Sequence, residues 1–339
     1  MTPQQPEVEQ GERGAALLSV LLLVAVMAVI AAAALDRLTL ATRISGSAAM
    51  VDQGRAFVMA AEQLALGRVQ ALVDADHHKL TNEAGWQDRP FALPLPIGSG
   101  TAKLHDASNC FNLNGLVSET TPDRFSQRPR GIEQLTALMT ILGVRQHEAA
   151  AVAAATGDWL DSDDAPTPLG AEDAAYRGME QGYLPANRLM VDASEWRAVR
   201  GVTPALYARM APWICVLPVA EPVRPNVNTL RPEQAALIAM MMPDDISLGA
   251  VRAALAARPS GGYGSSQRFW QSGPLAGVVP PPDAAQQVQM TSRWLELEMM
   301  VELGDSMVAA RALIDAYGGA PQAGQAKAAI VRRMWGEWD

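Results

Sequence analysis

The chain has 339 residues, of which 49% are hydrophobic and 19% charged, and its formal net charge at pH 7 is −9. This length allows two or three domains with a substantial hydrophobic core. The acidic balance argues against a general nucleic-acid-binding protein, because contacts with phosphates require a basic surface.

An unbroken apolar stretch, Ala15 to Leu35, follows a polar segment of fourteen residues. A helix of about 20 residues rises about 30 Å, which matches the hydrocarbon core of a bilayer. The stretch has no polar stripe with a helical period, so we predict a transmembrane segment over residues 15–35. A cleaved secretory signal peptide is the alternative. The small residues at 31–34 could supply its cleavage site, although its apolar core would be unusually long.

The boundary between the polar and apolar segments, Arg13-Gly14, resembles the end of a type IV prepilin leader. In that family a protease removes the residues before the boundary, and the apolar helix stays on the mature protein. The resemblance implies a leader peptide over residues 1–14, cleaved by a prepilin peptidase between Gly14 and Ala15.

Two features depart from the usual leader pattern. The leader is acidic where most are basic, with Glu7, Glu9 and Glu12 against Arg13. Ser19 occupies the fifth mature position, where most pilins and pseudopilins carry a glutamate that is thought to pair with the amine of a neighbouring subunit.

A helical pattern continues after Leu35, with apolar residues on a rough stripe: Ile44, Val51, Phe57, Leu64, Leu66 and Val69. We predict one long helix, with its first half in lipid and its second half packed on a soluble domain. Residues 74–100 are rich in turn residues, and residues 101–116 predict a strand followed by a turn.

Residues 131–155 predict helix, and residues 193–214 and 231–258 each predict a helix, a short turn and a second helix. Residues 294–303 alternate between apolar and acidic side chains, which predicts a half-buried antiparallel strand. Residues 308–317 and 326–335 predict further strands, with helix as the alternative for both.

Sequence typical of strands thus lies on both sides of a helical middle, which predicts an α+β protein. In the simplest architecture, a long N-terminal transmembrane helix leads into a small α/β domain that carries a large inserted all-helical domain. The predicted parts after the membrane segment are the helix continuation with the first part of the α/β domain (36–114), the insertion (115–282) and the returning strands (283–339). The insertion divides into units at about 115–215 and 225–282.

Two cysteines occur, Cys110 and Cys215. If the soluble domain lies outside the cytoplasm, we expect a disulfide between them, which would close a long loop and stabilise the fold by about 2–4 kcal/mol. Two separate buried thiols are the alternative.

Five carboxylates cluster after the helix that ends near residue 160: Asp161, Asp163, Asp164, Glu172 and Asp173. Calcium prefers oxygen ligands of this kind. Asp161, Asp163 and Glu172 match positions 1, 3 and 12 of an EF-hand loop, but Ala165 and Pro166 replace the ligand and the glycine expected at positions 5 and 6. The loop is therefore not an EF-hand, and the residues alone leave open a metal site and a solvated acidic turn.

Two other classes of function are enzymes and DNA-binding proteins. No HExxH, GxSxG, P-loop or GxGxxG motif occurs, so we predict no enzymatic activity. Residues 196–214 resemble a helix-hairpin-helix, and residues 196–258 hold seven arginines against four acids, which suggests a membrane-anchored DNA-binding protein as the alternative function. The acidity of the whole chain disfavours it, and we expect no nucleic-acid partner.

Over nearly its whole length, the chain resembles the K-type minor pseudopilins of the type II secretion system. The segments that carry the resemblance are the Arg13-Gly14 junction without an acidic fifth residue, CFNLN at 110–114, DWLDSDD at 158–164, GAEDAAY at 170–176 and NVNT at 226–229.

The resemblance implies a pseudopilin α/β domain whose insertion consists of two sterile-alpha-motif-like units. It implies a single-pass protein of the bacterial inner membrane with its soluble domain in the periplasm. It further implies a place at the pseudopilus tip with the minor pseudopilins I and J, helix packing with other pseudopilins, and calcium bound by the five carboxylates. The bulky insertion and the serine at position 19 agree with the tip, where no subunit is stacked above.

Overall fold

The N-terminal helix is continuous. The computed structural model describes residues 9–179, 181–319 and 327–336, and residues 1–8 of the expected leader lie outside this part. Helix α1 (Glu9–Ala75) has 67 residues and is about 100 Å long at 1.5 Å per residue. From Ala15 onward it is long and apolar enough to cross a membrane, with a mean hydropathy of 2.9 in its most apolar window.

The second half of α1 packs on the rest of the protein, but not through the whole predicted stripe. Residues 15–50 are exposed. We call residues 36–50, the part of the helix that follows the apolar stretch, the stalk. The buried face is made by Val58, Ala61, Ala65 and Val69. The prediction was right for Val69, and for Val51, Phe57 and Leu66, which are partly buried against the same core. It was wrong for Ile44 and Leu64, which are 61% and 54% exposed. Small alanines, rather than large side chains, form much of the contact.

Nine strands occur in the described residues. They are β1 (Phe91–Ala92), β2 (Ser99–Asp106), β3 (Phe111–Asn112), β4 (Val117–Thr121), β5 (Arg124–Gln127), β6 (Ile214–Cys215), β7 (Trp294–Leu303), β8 (Ser306–Gly319) and β9 (Lys327–Trp335). Five of them form an antiparallel sheet in the order β1-β2-β7-β8-β9. The strands predicted near the C-terminal end are confirmed, and helix is excluded for β8 and β9.

One face of this sheet packs against α1. Alternate residues of β7, such as Leu297 and Val301, are buried with Val58 and Val69 in one core. Gly54 allows α1 to approach the sheet closely, because a Cβ atom there would lie 2.7 Å from Cγ2 of Val308. The helix and the sheet therefore form the α/β domain of the predicted α+β fold.

A large insertion separates β2 from β7, two strands that are neighbours in the sheet. Its helices are α2 (Pro129–Ile141), α3 (Gln146–Leu160), α4 (Asp173–Arg177), α5 (Pro204–Met210), α6 (Ala236–Ala239), α7 (Leu248–Ala256), α8 (Ser266–Trp270) and α9 (Pro282–Gln287). Leu138 of α2 and Leu255 of α7 belong to one continuous core. The two predicted units thus share their hydrophobic interior.

The insertion is not all-helical, which corrects the prediction. Strands β4 and β5 form a hairpin, and the two-residue strands β3 and β6 pair in parallel. At the hairpin turn, proline at 122 presets one φ angle and Asp123 adopts a φ of 59°, a conformation that aspartate tolerates better than most residues. Pro122 and Asp123 together were a turn signal that the helical interpretation overlooked.

The predicted helix pair at 193–214 is also shorter than expected. Its first member is a 3-10 helix, Ala193–Ala198, whose start is fixed by a capping box between Asp192 and Glu195. Its second member is α5, where the Thr203 side chain accepts a hydrogen bond from the backbone N–H of Leu206. These caps explain where each helix begins.

Three kinds of contact join the insertion to the sheet. The disulfide between Cys110 and Cys215, with Cα atoms 5.8 Å apart, confirms the predicted pairing. Leu217 packs with Trp294 and Leu313 of the sheet. On β9, the guanidinium of Arg332 donates to the backbone carbonyls of residues 191 and 216 at 2.7 and 3.0 Å.

A buried polar network lies at the same junction. Asp106, at the end of β2, accepts hydrogen bonds from the backbone N–H of Ser108 at 2.8 Å and from the hydroxyls of Thr229 and Ser292. Asn226 donates to Ser292 at 2.9 Å. Burial raises the pKa of Asp106. The NVNT segment singled out in the sequence therefore ties the insertion to the sheet.

Candidate metal centre

The acidic loop begins at the C-terminal end of α3. Asp158 lies in the last turn of α3 and is fully buried. Asp161 is the C-cap residue, and its backbone N–H donates to the carbonyl oxygen of Gly157 at 3.0 Å. The loop continues to Glu172, which immediately precedes α4. Carboxylates therefore stand at both ends of the loop.

Asp158 organises the loop from the inside. Its carboxylate accepts hydrogen bonds from Gln127 Nε2 at 2.6 Å, from Thr167 Oγ1 at 2.8 Å and from the backbone N–H of Ala171 at 2.7 Å. Gly170 passes so close that a Cβ atom there would overlap this carboxylate. These contacts fold the loop back onto α3.

The fold brings together three of the five predicted carboxylates. Asp161, Asp163 and Glu172 each offer an oxygen within 4.8 Å of the others, and we call them the carboxylate trio. Asp161 and Glu172 are 3% and 4% exposed, whereas Asp163 is exposed. A solvated acidic turn is therefore excluded for the two buried members.

Buried oxygens of the trio lack hydrogen-bond partners. In the part of the chain that the structure describes, Oδ1 of Asp161 and both carboxylate oxygens of Glu172 are buried without a donor. The other oxygen of Asp161 accepts from Gln127 Nε2 at 2.8 Å. Buried carboxylate oxygens without a donor are costly, so these atoms are suited to a cation.

The electrostatics of the trio agree with this geometry. The pKa of Asp161 is raised to about 7, chiefly by burial and also by repulsion from the Asp163 and Asp158 carboxylates, against the hydrogen bond from Gln127. Burial also raises the pKa of Glu172 to about 8, with repulsion from Asp158 as the next cause. A bound cation would favour the charged forms of both groups.

Asp164 and Asp173 lie outside the trio. Asp173 forms an ion pair with Arg177, one helical turn away, at 2.6 Å. Asp164 accepts a hydrogen bond of 3.4 Å from Asn187 Nδ2. The sequence indicated an acidic cluster but could not show which carboxylates face one another.

The donor set of the trio fits calcium. Calcium takes carboxylate and carbonyl oxygens and tolerates irregular geometry, and the trio supplies three carboxylates on a loop that Asp158 holds in place. Asp158 was not among the ligands predicted from the sequence. Its spacing from Asp161, three residues along a helix, was the signal that both side chains could lie on one face.

A second group of possible metal ligands lies on the sheet face away from α1: His105, Glu296 and Glu298. Sequence reasoning missed it because β2 and β7 are distant along the chain. Lys103 already pairs with Glu298 at 2.6 Å, and His105 lies 3.1 Å from Glu296. This group is therefore an ion-pair ladder across two strands.

The fold and the carboxylate trio define a class of protein: a pilin-like subunit on a long apolar N-terminal helix, with a mainly helical insertion that carries a candidate cation site. Comparison with known proteins gives the family. Two models described as type II secretion system (T2SS), protein K, match residues 109–219 and 225–291. The chain belongs to the type II secretion system protein K family.

Similar proteins support this assignment over most of the chain. Type II secretion system protein K of Aeromonas hydrophila is 33% identical over 299 residues, covering 86% of this chain and 89% of the relative. The Klebsiella pneumoniae relative of the same name is 36% identical over 262 residues, covering 76% of this chain and 78% of the relative.

A solved structure is also similar. It is a crystal structure of the GspK-GspI-GspJ complex from enterotoxigenic Escherichia coli, and the match has a TM-score of 0.70 at 27% identity, covering 85% of this chain and 97% of that one. The chain is a minor pseudopilin of the type II secretion system, and its apolar N-terminal helix fits a single-pass membrane anchor.

The DNA-binding alternative is not supported. The comparisons point to a structural pseudopilin, and the candidate hairpin packs inside the insertion. A Cβ atom on Gly201, at its turn, would lie 2.9 Å from Val152 of α3. The guanidinium of Arg197 lies over the ring of Tyr207 at 4.3 Å.

Proposed function

We propose that the chain works at the tip of the pseudopilus with the I-type and J-type minor pseudopilins, and that this complex starts pseudopilus assembly for the export of folded proteins. The observation that carries the proposal is the likeness, over 85% of the chain, to a structure of a GspK-GspI-GspJ complex. The shape agrees with a terminal position. A filament is built by packing N-terminal helices, so the insertion between β2 and β7 would obstruct a subunit stacked above it.

Co-purification from membranes tests the proposed complex. The full chain carries an affinity tag and is extracted in mild detergent from cells that express the I-type and J-type pseudopilins. Both partners should be recovered with it, and neither should be recovered with an equally tagged, unrelated single-pass membrane protein. Recovery of neither partner with the tagged chain would rule out the proposed complex.

We also propose that the mature protein begins at Ala15. The polar segment and the Arg13-Gly14 junction support cleavage between Gly14 and Ala15, after which the apolar helix remains as the anchor. N-terminal sequencing of the membrane-extracted protein should give AALLS. A start near Leu35 would instead indicate removal of a signal peptide.

We place the soluble part in the periplasm, on the outer side of the inner membrane. The Cys110–Cys215 disulfide supports this, because disulfides persist in oxidising compartments. Protease added to spheroplasts should digest the soluble part. Digestion only after the membrane is opened would contradict the placement.

Calcium is the proposed ligand of the carboxylate trio. Asp161, Asp163 and Glu172 would hold the ion, and Asp158 would keep the loop in place through its contacts with Gln127 and Thr167. The ion supplies positive charge among close carboxylates. Because it binds only the folded loop, it should stabilise the insertion by about 2.7 kcal/mol at a hundredfold excess over Kd.

Paired variants separate the trio from its acidic neighbours. Glu172→Gln keeps the side-chain shape but removes a proposed ligand charge, so calcium should no longer raise the melting temperature of the full chain. Asp173→Asn is the matched control, since Asp173 pairs with Arg177 instead. Calcium stabilisation that survives Glu172→Gln, or that is lost with Asp173→Asn alone, would place the ion elsewhere.

A further inference from the structure

A groove lies between α1 and the loop that precedes β1. It has a volume of about 710 Å³, and no member of the carboxylate trio lines it. Its apolar lining includes Leu72 of α1, Trp86 and Phe91 of the loop and β1, and Leu104 and Leu297 of the sheet. We call it the Trp86 groove. Its size and its aromatic lining are typical of a binding site.

The groove is preformed rather than left by a loose loop. The indole N–H of Trp86 donates to the carbonyl oxygen of Thr81 at 2.8 Å, so the ring is fixed and its one donor is satisfied. The backbone N–H of Gln87 donates to Asn82 Oδ1 at 3.0 Å, and that of Asp88 donates to the carbonyl oxygen of Leu104 at 2.9 Å. A fixed wall lowers the ordering cost of binding.

Two arginines give the groove its charge. Arg68 of α1 and Arg89 of the loop both line it, and both are exposed. Among the residues that the structure describes, neither guanidinium forms an ion pair with a carboxylate; Arg68 lies over the ring of Phe91 at 5.1 Å. Two unpaired positive charges beside an apolar floor, on a chain of net charge −9, favour a ligand that is both apolar and acidic.

The position of the groove decides between a lipid and a protein as the source of such a ligand. Arg68 lies 33 residues beyond Leu35, the end of the apolar stretch, which is about 50 Å along a helix. This distance exceeds the thickness of a headgroup layer, so the groove stands clear of the bilayer. A neighbouring protein subunit can reach it.

We propose that the Trp86 groove binds an acidic amphipathic segment of a partner pseudopilin, with apolar side chains on the floor and carboxylates at Arg68 and Arg89. The proposal rests on the proposed function, because it names the surface through which this subunit holds a neighbour. The small side chain of Ala71, exposed on the α1 wall, leaves room for the segment's backbone to come close.

Photo-crosslinking in living cells tests the contact directly. A photoreactive amino acid replaces Ala84, which is exposed and lines the groove, in the full chain expressed with the I-type and J-type pseudopilins. The same amino acid at Thr140, exposed on α2, is the control. Position 84 should give an adduct with one of the two pseudopilins, mapped by peptide mass to an acidic amphipathic segment. Position 140 should give none.

Charge reversal tests the role of the arginines. The double variant Arg68→Glu and Arg89→Glu should lower recovery of that partner at least about tenfold, because close like charges replace favourable contacts. Arg252→Glu, an exposed arginine on α7, should leave recovery unchanged. Both variants alter exposed side chains, and an intact Cys110–Cys215 disulfide in each would confirm that the chain has folded.

The outcomes separate this inference from the proposed function. If no pseudopilin co-purifies with the wild-type chain, the tip complex itself is wrong. If both partners co-purify with the wild-type chain and the double variant recovers them equally well, the groove is not the contact surface. The same conclusion follows if position 84 crosslinks only to lipid or to a segment without acidic residues.

Discussion

At the scale of single residues, the carboxylate trio, as the proposed calcium site, should make stability and calcium affinity depend on pH in opposite directions. In the metal-free protein, the pKa values of Asp161 and Glu172 are raised to about 7 and about 8, above the values near 4 of an unfolded chain. The stability from these two groups is therefore fully present below pH about 4, and it is lost as the pH rises through 7 and 8.

We accordingly expect the melting temperature of the metal-free protein to fall between pH 5.5 and 8.5. Calcium affinity should rise over the same window, because the ion must displace protons from the trio. Melting with chelator and with millimolar calcium at several pH values measures both effects. A melting temperature in chelator that rises toward pH 8.5 would contradict the raised pKa values.

A second residue-scale prediction concerns Gly170. Alanine there places a Cβ atom against the Asp158 carboxylate, which is fixed by hydrogen bonds and cannot move freely. Gly170→Ala should lower the free energy of unfolding by about 1–3 kcal/mol and weaken calcium binding. Gly178→Ala is the control, since the nearest atom to its Cβ lies 3.6 Å away. Equal effects of the two variants would show that the Asp158 contact is unimportant.

The sequence could predict the acidic loop but not its inner arrangement. The charge of Asp161, Asp163 and Glu172 was evident from the composition of the loop. The burial of Asp161 and Glu172 was not evident, because it depends on how Gln127, on a distant hairpin, contacts Asp158. A contact between residues so far apart in the chain leaves no local pattern.

At the scale of secondary-structure elements, two glycines of α1 have opposite expected effects. Gly54 meets Val308 of β8, so a larger residue must push the helix away from the sheet. Gly54→Leu should lower the free energy of unfolding by about 1–3 kcal/mol. Gly46, in the stalk, has no atom within 4 Å of a Cβ position, so Gly46→Ala should raise helix stability by up to about 1 kcal/mol.

Thermal melting of the detergent-extracted full chain compares the two glycine variants. Tolerance of Gly54→Leu without a lower melting temperature would contradict the close packing of α1 on β8, and destabilisation by Gly46→Ala would contradict the free exposure of the stalk.

Elements were predicted best where a repeating pattern was long. The alternation over residues 294–303 identified β7, since one face packs on α1 and the other carries glutamates. The face of α1 was harder to predict, because Ala61 and Ala65 carry the contact and large residues such as Leu64 point to solvent. A prediction that considers only large apolar residues does not identify the packed face of a helix that makes its contacts through small residues.

At the scale of the whole molecule, the insertion and the α/β domain are tied by the disulfide. Cys110 follows β2 and Cys215 lies in β6, and both pack with the cluster around Trp294. The double variant Cys110→Ala and Cys215→Ala should lower the free energy of unfolding by about 2–4 kcal/mol. Reductant should lower the melting temperature of wild type but not of the variant. Alkylation without reductant should find no free thiol in wild type, and two modified cysteines would contradict the bond.

The exposed stalk has a geometric consequence for assembly. Each residue of an α-helix raises whatever it carries by about 1.5 Å and turns it by about 100°. Residues 36–50 therefore set the height of the sheet above the membrane. They also set the direction, around the helix axis, in which the Trp86 groove faces. Removing seven residues would lower the sheet by about 10 Å and leave the direction in which the groove faces almost unchanged. Removing two residues would turn the groove to the opposite side of the helix axis. A neighbour anchored in the same bilayer must match the stalk in both respects.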